Sequence, residues 1–241
     1  VNNQELKKLK NEFKTNKPFP HIILSDWFPK DVLDDTLSNV LKLKDTYSWH
    51  KLCTNTNDFS PFGEKAVQLT NYLIGDEWLN FLQKLTGIKD LRVDKNWVGA
   101  GINYEPRGAH LEPHTDFNCS SNGWRRINLL LFLSKNWKEE WGGYGELGHI
   151  EDESFVKDVS YSPDFNKAVL FETSDISYHG FDLVKCPEDE SRIVITCYYY
   201  SDSSGPHTKS QGTTNYIGWD KERKQDNEYS NRRGTGWKEL E

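Results

Sequence analysis

Residues 109–134, AHLEPHTDFNCSSNGWRRINLLLFLS, decide how the chain is read. Two runs, 109–116 and 126–134, flank a stretch of Asn, Cys, Ser and Gly whose composition is that of a turn. Alternate side chains of a strand share a face, so His110, Glu112, His114 and Asp116 point one way if the first run is regular. Pro113 is a place for it to kink. The second run is dense in Ile, Leu and Phe, as a strand covered on both sides requires.

Outward from this stretch the pattern divides in two. Downstream of Leu91, the segments 91–105, 109–116, 126–134, 145–151, 155–160, 167–173 and 191–200 read as short strands separated by Gly, Pro, Asn or Asp. Upstream, residues 4–13 suit a short peripheral helix and KPFPHIIL at 17–24 a Pro-bounded strand. Pro29 opens a second helix with Val32, Leu33, Leu37, Val40 and Leu41 on one face. Residues 64–85 form a further helical zone, broken near Gly75, while 48–63 lack periodicity and read as a loop. Helices followed by many short strands predict an α+β chain with a jelly-roll, double-stranded β-helix core. One domain accounts for 241 residues: 1–90 as N-terminal strand and supporting helices, 91–200 as jelly-roll core, and 201–241 as a polar extension that wraps the body or makes contacts.

Composition narrows the function. A net charge of -7 argues against a protein whose main task is gripping a phosphate backbone. Cysteines 53, 119, 186 and 197 form no C-x-x-C pair and read as free thiols of a reducing compartment. No apolar run is long enough to cross a bilayer and the N-terminus is not signal-like, so a cytoplasmic, membrane-free protein is expected. The chain contains no methionine, so residue 1 is not expected to be the start of the gene product.

The chemistry-bearing pattern is His114-Thr115-Asp116, then His179, then Arg192. Two imidazoles and a carboxylate are the protein ligands of a mononuclear non-haem Fe(II) centre, which leaves positions open for a co-substrate and O2. A structural zinc site would be closed by four protein ligands. His110-x-Glu112 is a rival ligand pair on the same strand. Arg192 opens the apolar strand RIVITCYYY, where a cation needs a partner inside: a dicarboxylate clamped by the guanidinium fork, or an ion pair with an internal acid.

Tyr104 ten residues before His114, HTDF at 114–117, INLLLFLSKNW at 127–137, WGGYGEL at 141–147, SYHGF at 177–181 and RIVITCYYYSD at 192–202 carry a family likeness. Together they resemble the Fe(II)- and 2-oxoglutarate-dependent oxygenases, particularly their prolyl 4-hydroxylase-like branch. The resemblance spans about residues 95–200, with a weaker echo in FPHIILSDWFP. It implies His114, Asp116 and His179 as iron ligands and Arg192 as anchor for the distal (C5) carboxylate of 2-oxoglutarate. It also implies Tyr104 in the co-substrate pocket and Thr196 between co-substrate and iron. The branch often has a tyrosine at the end of the 127–133 strand to help hold that carboxylate. Phe132 stands there and cannot donate, which makes Asn128 a candidate to complete the clamp. The loop from His179 to Arg192 is also rather long and acidic.

The implied activity consumes 2-oxoglutarate and O2, releases succinate and CO2, and uses ascorbate as an accessory reductant. Hydroxylation of a prolyl residue in a peptide or protein leads, in a groove formed by the 50–63 loop and Trp124, Trp137 and Trp141. Hydroxylation of a free amino acid or other small metabolite is the alternative. Base demethylation of nucleic acid is disfavoured, because Arg192-Ile-Val194-Ile-Thr196-Cys-Tyr198 lacks the asparagine and second arginine of the R-x-N-x-T-x-R pattern. A non-enzymatic jelly-roll binding module would have lost a ligand or the arginine, and all are present.

Overall fold

The structure is a computed structural model that describes residues 2–44, 54–209, 212 and 214–217. Cys53, residues 50–53 of the expected substrate loop and residues 218–241 of the extension lie outside the described residues.

Four helices precede the sheets. α1 (Asn3–Thr15) is capped by Asn2, whose side chain accepts from the Glu5 N–H. β1 (His21–Ser25) follows, and α2 (Lys30–Lys42) starts just after Pro29, which is its N-cap. The helical zone divides as expected at Gly75 into α3 (Glu64–Leu73) and α4 (Asp76–Thr86), the latter ending on Gly87 in the left-handed conformation. The aperiodic loop contains a short strand, β2 (Thr54–Thr56), and a 3-10 turn at Ser60–Phe62.

The strands that follow are β3 (Arg92–Val93), β4 (Gly101–Pro106), β5 (Leu111–Thr115), β6 (Cys119–Ser120), β7 (Gly123–Phe132), β8 (Gly145–Glu151), β9 (Ser154–Tyr161), β10 (Lys167–Glu172), β11 (Tyr178–Phe181), β12 (Ser191–Ser201) and β13 (Asn215–Tyr216). The run expected over 91–105 is two strands, because a turn at Trp97 and Gly99 with positive φ interrupts it. Two sheets result. The larger follows β1-β10-β7-β12-β4-β2, with β3 beside β12 and β6 beside β7; the smaller follows β13-β5-β11-β8-β9. Every pairing between these strands is antiparallel.

Period-two alternation sorts the side chains of the large sheet. Ile127, Leu129 and Leu131 of β7, Ile193 and Ile195 of β12, and Ala168 and Leu170 of β10 join the helices in the main core. Their alternates Phe132, Val194, Val169 and Phe171 meet Leu147 and Tyr161 of the small sheet in a second, inter-sheet core. Burial of this apolar surface on both faces stabilises β7, β10 and β12 as the centre of the fold. Among the described residues Cys119, Cys186 and Cys197 are free thiols, as expected, and no helix is long and apolar enough to cross a membrane.

Candidate metal centre

β5 carries His114 near its end and Asp116 just beyond it; β11 pairs antiparallel with β5 and sets His179 opposite His114. The two backbones come close at Gly180, where a Cβ would stand 2.5 Å from the Leu111 carbonyl oxygen. The ligand atoms of His114, Asp116 and His179 lie within 4.8 Å of one another, and no other such trio of His, Cys, Asp or Glu forms among the described residues. His110 and Glu112, the rival pair, are outside this gathering; the His110 Nδ1 lies 3.4 Å from the Gly108 carbonyl oxygen.

Each ligand imidazole is held from behind. Nδ1 of His114 donates to the Glu112 carbonyl and Nδ1 of His179 to the Ser177 carbonyl, both at 2.9 Å. A carbonyl oxygen only accepts, so Nδ1 carries the proton and Nε2 keeps its lone pair. Nε2 of His114 is 3.8 Å from one Asp116 oxygen and Nε2 of His179 is 3.8 Å from the other. Burial, then the neighbouring His179, pushes the His114 pKa down to about 4, which keeps the ring in the neutral, ligating form. Burial opposes the charge on Asp116, but His179, Arg125 and His114, with the Asn128 amide, outweigh it and hold the carboxyl below its usual range. Two imidazoles and one ionised carboxylate, with no fourth His, Cys, Asp or Glu gathered beside them among the described residues, fit a divalent metal with open positions.

Arg192 sits on the interior face of β12, 2% exposed, with its guanidinium carbon 4.9 Å from the Phe132 ring centroid and 4.1 Å from that of Phe181. Its Nε donates to the Gly143 carbonyl at 2.8 Å and its Nη1 forms a very close ion pair with Glu105. Of the two partners expected for this cation, the acidic side chain is present and takes one edge of the fork. Thr196, on the same face, accepts a hydrogen bond from Asn103 at 3.0 Å.

Two expectations need correction. Tyr104 pairs in register with Ile193, not with Arg192, so it faces the helices and belongs to the main core; Asn103 and Glu105 face the interior instead. Asn128, expected to complete the carboxylate clamp, instead has its amide nitrogen donating to Asp116 at 3.1 Å, which fixes that carboxylate. Trp137 and Trp141 pack edge to face on one another, and Trp141 joins Phe181 and Val184 in a third small core.

The 2OG-Fe(II) oxygenase superfamily model matches residues 100–200, the stretch from β4 to β12 that holds His114, Asp116, His179 and Arg192. Over those residues the chain is similar to that superfamily. Among curated proteins, prolyl 3-hydroxylase OGFOD1 of Mus musculus is 31% identical over 113 residues, covering 40% of this chain and 20% of the relative's length. Among solved structures, a Pseudomonas putida prolyl-4-hydroxylase superposes with a TM-score of 0.59 at 14% identity, over 82% of this chain and 100% of that one. A Trichoplax adhaerens prolyl hydroxylase, solved with a hypoxia inducible factor peptide fragment, gives 0.56 at 17% identity, over 83% and 92%. At these identities the two structures establish the shared fold.

Four residues around this centre carry no strong signal in the sequence. Glu105 pairs with Arg192. Tyr161 is buried at the end of β9. Arg125 reaches Asp116, and Tyr216 stacks on His114 at 5.1 Å between ring centroids. Tyr216 is there because β13 pairs with β5 in the register Tyr216↔His114, so the polar extension returns to the metal centre. Arg125 alone had a local signal, a cation within the strand GWRRINLLLF, the same anomaly that drew attention to Arg192.

Proposed function

We propose that this chain is an Fe(II)- and 2-oxoglutarate-dependent hydroxylase acting on a prolyl residue of a peptide or protein, with release of succinate and CO2. The observation that carries the reaction type is the gathering of His114, Asp116 and His179 in one buried site on adjacent strands. Similarity to a prolyl 3-hydroxylase and to prolyl hydroxylase structures supports the prolyl substrate.

Iron, when bound, couples oxidative decarboxylation of the 2-oxo acid to insertion of oxygen into a C–H bond. The chain's residues supply position. His114, Asp116 and His179 would hold the ion, with Asn128 fixing the Asp116 carboxylate and the Glu112 and Ser177 carbonyls fixing the rings. Arg192 would take the distal carboxylate of 2-oxoglutarate, with Thr196 on the same strand face nearer the centre. Asp116 also leaves no ligand position for a halide, which favours hydroxylation over halogenation.

Incubation with Fe(II), 2-oxoglutarate, ascorbate and a proline-containing peptide library, followed by mass spectrometry, tests the reading. A gain of one oxygen on proline is expected. Oxidation confined to free amino acids would remove the peptide substrate and keep the chemistry; no stimulated succinate release with any of these substrates would remove both.

A further inference from the structure

The interior end of the Arg192 clamp carries an anomaly. Phe132 occupies the place where a hydroxyl would help hold a distal carboxylate, and Asn128 is committed to Asp116. Glu105 has taken Nη1 of Arg192 and the Gly143 carbonyl has taken Nε. A carboxylate arriving there meets a cation already paired with an anion, so it needs a second donor from the protein.

From the facing sheet, Tyr161 packs its ring 6.0 Å from that of Phe132, which itself lies beneath the Arg192 guanidinium. Tyr161 is 5% exposed, and no hydrogen bond to its hydroxyl forms among the described residues. Its environment is unusual for a core tyrosine, since the Arg192, Glu146 and Glu105 charges all act on the phenol. Burial raises its pKa well above the usual tyrosine range against the opposing pull of Arg192, so the hydroxyl stays protonated and remains a donor. The neighbouring strand accommodates this ring specifically. Gly145 is its register partner, and a Cβ there would stand 2.2 Å from the ring and 2.6 Å from the hydroxyl. The same short stretch, 143–145, therefore fixes Arg192 through one glycine carbonyl and admits Tyr161 through the absence of a side chain on the other.

We infer that Tyr161 is the second anchor of the co-substrate's distal carboxylate, its hydroxyl donating from the small sheet beside Phe132, which has no donor to offer. The inference rests on the 2-oxoglutarate reading above and names one more residue of that site. It makes Tyr161 a binding residue and Gly145 the position that permits it.

The test is the dissociation constant of 2-oxoglutarate for the Mn(II)-loaded protein, measured by titration calorimetry without turnover. Tyr161→Phe keeps the ring and removes only the hydroxyl, so an unchanged melting temperature and unchanged Mn(II) uptake are expected. Affinity for 2-oxoglutarate should fall by roughly 10- to 100-fold, the loss of one hydrogen bond to a charged group. Adding Phe132→Tyr to that variant should recover most of the affinity, because a hydroxyl returns to the same carboxylate from the other sheet. An unchanged constant in Tyr161→Phe, or a loss that Phe132→Tyr does not recover, overturns the assignment while 2-oxoglutarate binding by the parent protein stands. A parent protein that takes up no 2-oxoglutarate overturns the functional reading and this inference together.

Discussion

Arg125 places Nη1 3.5 Å from the Asp116 carboxylate, with its guanidinium held between the Phe117 and Tyr198 rings at 3.6 and 3.4 Å from their centroids. A 2%-exposed cation thus stands directly behind the carboxylate proposed to bind the metal. In the metal-free chain Arg125 supplies positive charge to a buried Asp116; a bound divalent ion supplies more from the other side. Arg125→Met should therefore destabilise the metal-free protein by about 3–5 kcal/mol, the usual cost of leaving a buried charge without its partner. The increase in melting temperature on adding Mn(II) should be larger in this variant than in the parent. Calorimetric scans with and without Mn(II) decide it, and an equal increase in both would mean that Arg125 does not act through Asp116.

His114→Ala, Asp116→Ala and His179→Ala should each abolish Fe(II)-dependent 2-oxoglutarate turnover and lower Mn(II) uptake sharply, with the far-ultraviolet spectrum unchanged. His110→Ala and Glu112→Ala should retain turnover, because neither lies in the gathered trio. Loss confined to the His110 and Glu112 variants would transfer the site to the rival pair.

Arg192→Ala should weaken 2-oxoglutarate binding by about 2–4 kcal/mol, on the order of 30- to 1,000-fold. It should also lower stability, since Glu105 would lose its buried ion pair with Arg192. The double variant Glu105→Gln, Arg192→Ala separates the two effects: stability should return and affinity should not. Recovery of both would mean that Arg192 serves the fold and not the ligand.

Thiol chemistry checks the packing independently. Burial pushes the Cys197 thiol up to about 12, and burial with Glu190 pushes Cys186 up to about 11. Cys119 is half-buried on β6. In the native protein near pH 8, maleimide should label Cys119 before either of the others, read by peptide mass mapping. Early labelling of Cys197 would contradict its place against the helices.

Replacing Tyr216 by Ala should alter peptide hydroxylation more than uncoupled 2-oxoglutarate decarboxylation, because its ring lies over His114 from an added strand and not among the ligands. Parallel assays of succinate release with and without peptide measure this. Equal losses in both would assign Tyr216 to supporting the metal centre alone.

What was legible in the sequence was whatever a local period or a short motif encodes. The helices and most strands follow from repeat spacing, and the trio His114, Asp116 and His179, which the family resemblance implied, is gathered in one place. β11 was not read as a strand, since SYHGF is short, polar and glycine-containing, and it forms only because β5 and β8 flank it. Tyr104 was placed on the wrong face because a fixed offset from His114 says nothing about strand parity, and parity turns it toward Ile102 and Ile193. Glu105 with Arg192, Asn128 with Asp116 and Tyr216 with His114 are pairings across strands, and no local pattern announces them.

The ligand trio is split between two strands whose ladder is irregular at the point where they meet. β11 and β5 shift register between His179 and Phe181, and beyond β5, among the described residues, the two-residue β13 alone continues the sheet. A metal held by His114 and Asp116 from one strand and His179 from the other would act there as a cross-link, adding cohesion where the backbone ladder is irregular. Backbone amides of 111–116 and 215–217 should accordingly exchange with deuterated solvent more slowly once the ion is bound, while β7 and β10 keep their rates. The same ion that would serve the chemistry would then also rivet together the two strands that hold it.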